Sequence, residues 1–559
     1  IWDASLASSV WGIPEYSAGK IIEALLMNKP IKVQKESGQH DDQGRPIMVI
    51  DQELTAAAMQ KADEIKQAFL DWVWTDDERR DMLTRLYNEK FNTNVPPTYD
   101  GSHLELVGAS EAVKLRPHQK NAVWRAIQEG TCLFDHVVGA GKTLACVATV
   151  MESKRMGFLS KPMIVVHNHL LYQWKDEFYK LYPDANILVA DKTDFTKQNR
   201  ERLFGRIATG DWDAVIVAHS SFKKIDMPRD VQEEILREQI DAVIEAIEAS
   251  KAAEGGRATI KQLEKQREKM EERYNALLAG TGQKDRAVDF ADLGVDALFI
   301  DESHEFKNLA FQTTMNVSGL GNVTGSAKAL DLFIKCRYLQ RQNNGRGVYF
   351  MTGTPISNTI AEVYTLQRYM QYDELKNKDI EHFDAWASTF GQVTSGWELD
   401  ATGVNYKLKS RFAKFQNVPE LLSMYRTFAD VVTKSDLDEQ AKQAGERSLT
   451  PPIEGGKPYN DVVERSPAQA AYMDKIIQRM ENLPRDPRID NPLKVTNDAR
   501  KAGLDFRLIE PTADDFEGSK LNAAVERIHE IWRDTTNDKG TQLVFCDLST
   551  PKGGKVPAS

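Results

Sequence analysis

The stretch Cys132-Leu-Phe-Asp-His-Val-Val-Gly-Ala-Gly-Lys-Thr-Leu-Ala-Cys146 decides the fold. Its apolar start, Cys132-Leu-Phe134, reads as a buried strand, and Leu144 to Met151 reads as a helix. Between them lies Gly139-Ala140-Gly141-Lys142-Thr143. Glycines let the backbone turn tightly, so that its N–H groups point at phosphate oxygens, and the following helix N-terminus adds a positive dipole end. In such a loop Lys142 reaches the β- and γ-phosphates of a nucleotide, and the Thr143 hydroxyl holds Mg²⁺. His136 stands where the full GxxxxGKT spelling has its first glycine, so the longer pattern is not met.

Around this stretch, short apolar runs alternate with helical segments. Met163-Ile-Val-Val-His167, Ile187-Leu-Val-Ala190, Ala214-Val-Ile-Val-Ala218, Ala297-Leu-Phe-Ile300 and Gly347-Val-Tyr-Phe-Met351 read as strands buried on both faces of a parallel sheet. The order strand, loop, helix predicts an α/β domain that takes its ligands at the carboxyl ends of the strands. Two of those ends carry further chemistry. Asp301-Glu302-Ser303-His304 follows one strand; Asp301 is placed to hold Mg²⁺, and Glu302 to orient and polarise the water that attacks the γ-phosphate. Thr352-Gly353-Thr354-Pro355 follows another, with hydroxyls placed to link hydrolysis to a second domain and to nucleic acid. Gln119 lies 23 residues before Lys142. A side-chain amide both donates and accepts, which suits adenine.

The chain has 559 residues, 41% hydrophobic and 28% charged, enough length for three or four domains. No apolar run approaches the ~20 residues of a membrane helix, and the given sequence shows no basic-then-apolar stretch of the signal-peptide kind at its start. Cys132, Cys146, Cys336 and Cys546 have no metal-ligand spacing and no disulfide framework, which fits a reducing cytosol. A net charge of −11 argues against a simple basic nucleic-acid module but leaves room for a local strip of phosphate contacts.

Along the chain, residues 1–113 read as a helical lead-in. It has a helix from Glu53 to Leu86 broken at Thr75-Asp76-Asp77, and a polar loop from Gln34 to Arg45. Residues 114–370 form the nucleotide-binding domain, interrupted at 228–282 by a charged helical hairpin. One arm carries Val231, Ile235, Ile240, Ile244 and Ile247, and the other Ile260, Leu263, Met270, Tyr274 and Leu277, with Glu254-Gly255-Gly256 between. The hairpin either touches DNA or a protein partner, or is a solvated arm, the simpler reading. Residues 371–495 read as a helical and linker region. Residues 496–559 begin a second α/β domain with a helix from Lys520 to Arg533 and a strand from Thr541 to Cys546.

The four chemical strings, in this order, resemble the superfamily-two helicases, and Swi/Snf-like ATPases in particular. Leu115-Arg-Pro-His-Gln119, Gln173-Trp-Lys-Asp-Glu-Phe178, Asp301-Glu-Ser-His304 and Thr352-Gly-Thr-Pro-Ile-Ser-Asn358 carry the resemblance. Trp72 to Asn94, Tyr99-Asp-Gly-Ser-His103, His136-Val-Val-Gly-Ala-Gly-Lys-Thr143, Lys161-Pro-Met-Ile-Val-Val166 and Phe290-Ala-Asp-Leu-Gly-Val-Asp296 look like the helicase part of large phage and mobile-element proteins that fuse an adenine methyltransferase to such a helicase. The similarity spans most of residues 60–370. It implies a RecA-like ATPase with a second RecA-like domain, using ATP and Mg²⁺ to move on double-stranded DNA in an antirestriction or modification protein. By position, Gln119 would contact adenine, Gly139 to Thr143 the phosphates, and Asp301 and Glu302 metal and water. His304 would couple hydrolysis to Thr352 and Thr354. DNA contacts would come from His167, Asn168 and His169, and from His219, Ser220 and Ser221, although His167 replaces the proline common there.

The family's last motifs, including an arginine finger, would follow Cys546, and Asp547 to Ser559 does not match them. No Asn-Pro-Pro-Tyr-like methyltransferase string appears either. The expectation is a stretch that binds ATP and turns it over slowly. The rival readings are a P-loop kinase, which would lack the Gln119 and Thr-Gly-Thr-Pro strings, and a scaffold whose nucleotide only switches binding of DNA or protein.

Overall fold

The computed structural model describes residues 5–26, 28–40, 46–91, 97–252, 288–313, 315, 317–399, 406–446, 453–484, 489–546 and 548, with scattered positions between 264 and 275. They pack as two units, residues 1–396 with 409–449 and residues 397–408 with 450–559.

In the first unit α1 (Ala18–Leu26) precedes an antiparallel pair, β1 (Gln34–His40) and β2 (Pro46–Ile50), in register Gln34↔Ile50. The polar run at 34–40, expected as a loop, is therefore a strand. Its own residues carry no alternating pattern, and the ladder to the β-prone Ile-Met-Val-Ile of β2 overrides that weak local signal. Asp51 then caps α2 (Gln52–Trp74), accepting the Leu54 N–H at 3.0 Å. Thr75 ends α2, and α3 (Asp77–Phe91) starts where the acidic cap residues place it. Ile21, Ala24, Val33, Ala58 and Ala62 form the small core here.

The rest of this unit is built on one seven-stranded parallel sheet, ordered β11-β3-β8-β7-β4-β6-β5. The chain runs α4 (Pro117–Glu129), β3 (Thr131–His136), α5 (Lys142–Arg155), β4 (Pro162–Val166), α6 (Leu171–Leu181), β5 (Ile187–Ala190), α7 (Arg200–Thr209), β6 (Ala214–Ala218), α8 (His219–Phe222) and α9 (Arg229–Ala252). It continues through β7 (Ala297–Asp301), β8 (Val348–Thr352), the paired strands β9 (Gly391–Leu399) and β10 (Tyr406–Phe415), and β11 (Ala429–Val432). Every residue of β4, β6, β7 and β8 is buried, because helices cover both faces. Side chains alternate between two cores: Leu133, Ile300 and Phe350 enter one, while Phe134, Phe299 and Tyr349 enter the other. Phe299 and Tyr349 stack there at 4.2 Å between centroids.

Three expectations change. The region 371–495, expected to be helical and linker, contributes β9, β10 and the edge strand β11. β11 is four residues with an Asp among them, and it is a strand only because β3 offers a ladder edge (Ala429↔Leu133). The first arm of the hairpin is not solvated: Ile235, Leu236, Ile240, Val243 and Ile247 of α9 are buried, and Arg341 pairs with Glu234 and Glu238. The Glu254-Gly255-Gly256 turn and most of the second arm lie outside the described residues. In the second unit the helix Lys520–Asp534 forms as expected, capped by Ser519. Thr541–Cys546, however, has no strand pairing among the described residues, and Leu543, Val544 and Phe545 are exposed. A strand exists through its ladder, and apolar character alone does not make one.

No helix among the described residues is long and apolar enough to cross a membrane.

Candidate nucleotide site

β3, β8 and β7 are consecutive in the sheet, and their carboxyl ends are level, with Asp135 opposite Thr352 and Asp301 opposite Met351. Strand order thus gathers three strings far apart in sequence: the glycine loop after β3, Asp301-Glu302 at the end of β7, and Thr352 to Thr354 at the end of β8.

The loop is shaped by two left-handed glycines, Gly139 (φ +88°) and Gly141 (φ +79°). Space is open around Gly139, whereas a Cβ on Gly141 would fall on the Gln119 amide. Gln119 is buried; its Oε1 accepts the Arg116 N–H at 2.8 Å and its Nε2 donates to the Gly141 carbonyl at 2.9 Å. It therefore bolts α4 to the loop, keeping one amide hydrogen and one lone pair for a ligand. Gly141→Ala is expected to weaken binding of an ATP analogue about 10-fold, since a left-handed L-residue costs roughly 1–2 kcal/mol before the clash is counted. Calorimetry checks this against Gly205→Ala, where the added Cβ meets nothing and affinity should not move.

His136, at the position of the missing first glycine, turns away from the loop: its ring is fully buried, with Nε2 2.7 Å from Asp430 Oδ2 on β11. Its carbonyl faces the other way and accepts Lys142 Nζ at 2.9 Å. Burial pushes the half-buried Lys142 ammonium below its usual pKa, opposed by the carboxylates of Glu302, Asp301 and Asp135. Behind the loop, Ala140 packs on Val432 and Leu437, the Val137 N–H donates to the Val432 carbonyl at 2.9 Å, and His118 lies 2.9 Å from the Ala140 carbonyl and 2.8 Å from Gln440 Oε1. This backing by β11 and the helix Lys434–Gln443 was not readable from sequence.

Asp301 is buried. Its Oδ1 accepts the Glu302 N–H and its Oδ2 the Trp174 indole N–H, both at 3.0 Å. Burial and then the Glu302 charge raise its pKa, and those two donors and Lys142 oppose the rise. Glu302 is a non-glycine residue at φ +50°, ψ +50°. Backbone strain of this kind concentrates at functional sites. His304 Nδ1 stands 3.1 Å from Glu302 Oε2 and 3.1 Å from Thr352 Oγ1, and Thr352 Oγ1 accepts the Thr354 N–H at 3.1 Å. The expected coupling residues are thus joined in one continuous set. Glu362, unnoticed in the sequence, ties the next turn down, accepting the Ser357 N–H at 2.6 Å and pairing with Lys307 at 3.2 Å.

The carboxylates and the Thr143 hydroxyl are hard oxygen donors of the kind Mg²⁺ takes, and the open space at Gly139 leaves room for phosphate against the loop N–H groups. The residues fit a magnesium nucleotide.

The loops after β4 and β6 meet beside this site. Asn168 Oδ1 accepts the Ser220 N–H at 3.3 Å, and His167 stacks on His169 and leans on His219. One of the expected DNA contacts is corrected. Ser221 is fully buried on the inner side of α8 and cannot present its side chain. His219 donates from Nε2 to the Asp301 carbonyl at 2.9 Å, and burial followed by His167 lowers its pKa to about 4. Asn168 and His169 remain exposed and Ser220 half-buried.

The pattern of a probable helicase domain matches residues 124–433, more than half of the chain, and that of a domain of unknown function matches residues 3–93. Defense against restriction protein B of Escherichia phage P1 is 24% identical over 417 residues, a match covering 67% of this chain and 18% of that protein. The chain thus spans less than a fifth of the length of this curated relative. The Sulfolobus solfataricus SWI2/SNF2 ATPase core in complex with dsDNA superposes with a TM-score of 0.32 at 14% identity, covering 77% of this chain and 66% of that one. The same organism's SWI2/SNF2 ATPase core domain gives 0.31 at 15% identity, covering 79% and 68%. The matched region opens within α4 and closes just after β11, enclosing the glycine loop, Asp301-Glu302 and Thr352 to Thr354; the chain belongs to the probable helicase domain family.

Proposed function

We propose that this chain is the ATP-binding part of a DNA translocase or helicase motor serving an antirestriction or modification protein of a phage or mobile element. One observation carries the reading: adjacent strand ends place the phosphate loop, the Asp301-Glu302 pair and the Thr352-Thr354 turn together, with His304 bridging the last two. On binding, Lys142 leaves the His136 carbonyl for the phosphates, and the free hydrogen and lone pair of Gln119 hold adenine. Thr143 and Asp301 hold Mg²⁺, which neutralises phosphate charge when bound. Glu302 orients and polarises the attacking water. The change in charge at Glu302 passes through His304 to Thr352 and Thr354, and so to the turn that Glu362 fixes.

His167, Asn168, His169, His219 and Ser220 are the proposed DNA-facing groups, with backbone N–H groups of the loop after β4 and the start of α8. The defence role and a methyltransferase in the same protein rest on the printed name of the phage relative and on the sequence resemblance. With a net charge of −11, duplex affinity rests on few phosphates. It is expected to fall with salt at a log–log slope of roughly 0.9 per neutralised phosphate, and Asn168→Ala with His169→Ala should lower the affinity. Fluorescence anisotropy with a labelled duplex measures this. Affinity indifferent to salt between 50 mM and 200 mM would point to a protein partner instead.

A further inference from the structure

We propose that Trp174 is a positioning residue of the nucleotide site, whose indole N–H sets the Asp301 carboxylate for Mg²⁺. The proposal rests on the assignment of Asp301 as a metal holder.

Trp174 belongs to the inward stripe of α6, with Leu171, Phe178 and Leu181 at helical spacing, and all four are buried. For packing alone, Phe or Leu would fill that place. The indole adds one donor and no acceptor, and a buried one needs a partner. The partner it takes is Asp301 Oδ2, at 3.0 Å. The other oxygen already accepts the Glu302 N–H at 3.0 Å, so the carboxylate is held at both oxygens.

Two donors on one carboxylate, one at each oxygen, fix its plane. The Glu302 N–H is backbone and cannot be removed by substitution, so Trp174 is the adjustable half of this pair. Its contact runs from the helix after β4 to the end of β7, the strand beside it in the sheet, so the loop after β4 and the metal-holding carboxylate share one rigid link. Outer partners of metal ligands typically govern affinity by roughly 10- to 100-fold.

The test uses the full chain and calorimetric titration with ATPγS, in Mg²⁺ and in EDTA, for the unmodified protein, Trp174→Phe and Lys142→Ala. Trp174→Phe should leave the affinity in EDTA within about twofold and reduce the Mg²⁺-linked gain roughly 10- to 100-fold. Lys142→Ala should lose affinity in both media. An unchanged Mg²⁺ gain in Trp174→Phe overturns the proposal, as does an equal loss in both media, which is the mark of a packing role. Absence of ATPγS binding by the unmodified chain would instead overturn the nucleotide-site reading itself. Should Trp174→Phe fail to fold, Asp301→Ala interrogates the same bond by NMR. One of the ten tryptophan indole N–H resonances should move upfield, and no movement overturns the proposal.

Discussion

Replacing Glu302 by Gln is expected to lower single-turnover ATP hydrolysis by about 10²- to 10⁴-fold while leaving ATP affinity within a few-fold. Gln keeps the size of the side chain, and its amide oxygen can still accept from His304 Nδ1, 3.1 Å from the carboxylate in the native chain. The left-handed backbone at φ +50° is unchanged in cost, because Gln and Glu meet the same Cβ constraint. What is lost is the negative charge that the proposed mechanism uses to polarise water. Phosphate release from radiolabelled ATP measures the effect, with Lys142→Ala as a blank for contaminating ATPases. A near-native rate would remove Glu302 from the reaction.

Lys142→Ala is expected to weaken binding of an ATP analogue at least about 100-fold. A hydrogen bond to a charged group is worth roughly 1.5–3 kcal/mol, which alone is about 10- to 100-fold. The electrostatics of the site add to it. Asp135, Asp301 and Glu302 all act on the Lys142 ammonium. Removing that cation leaves these carboxyl groups without its opposing charge, which disfavours phosphate brought to the same loop. Calorimetry with a non-hydrolysable analogue checks the outcome; retained affinity would place the nucleotide elsewhere.

The positions of these strings at strand ends were legible because they sit where local signals are strongest. Glycines with positive φ, paired acids and a Thr-Gly-Thr-Pro turn each interrupt an apolar run, so Gly139 to Thr143, Asp301-Glu302 and Thr352-Thr354 mark their own strand ends. The strands reach one residue further than the apolar runs suggest. Asp301 and Thr352 lie within β7 and β8, so the backbone ladder fixes the residues that hold the site. β11 was not legible. Ala-Asp-Val-Val becomes a strand, and the backing of Ala140 and His136, only through β3, about 300 positions earlier in the chain. The inward turns of Ser221 and His219, the burial of one face of α9 and the bond from Trp174 to Asp301 are likewise tertiary outcomes. A helical stripe or a strand-end hydroxyl shows which faces exist, and packing decides which partner each face meets.

A structure of the chain with Mg²⁺ and a non-hydrolysable ATP analogue tests the central claim most directly. The account predicts Lys142 Nζ moved from the His136 carbonyl onto the phosphates, with Mg²⁺ at Thr143 and on the Asp301 side of the loop, and adenine against Gln119. A nucleotide bound away from Gly139 to Thr143, or one bound there with Lys142 still on His136, would contradict it.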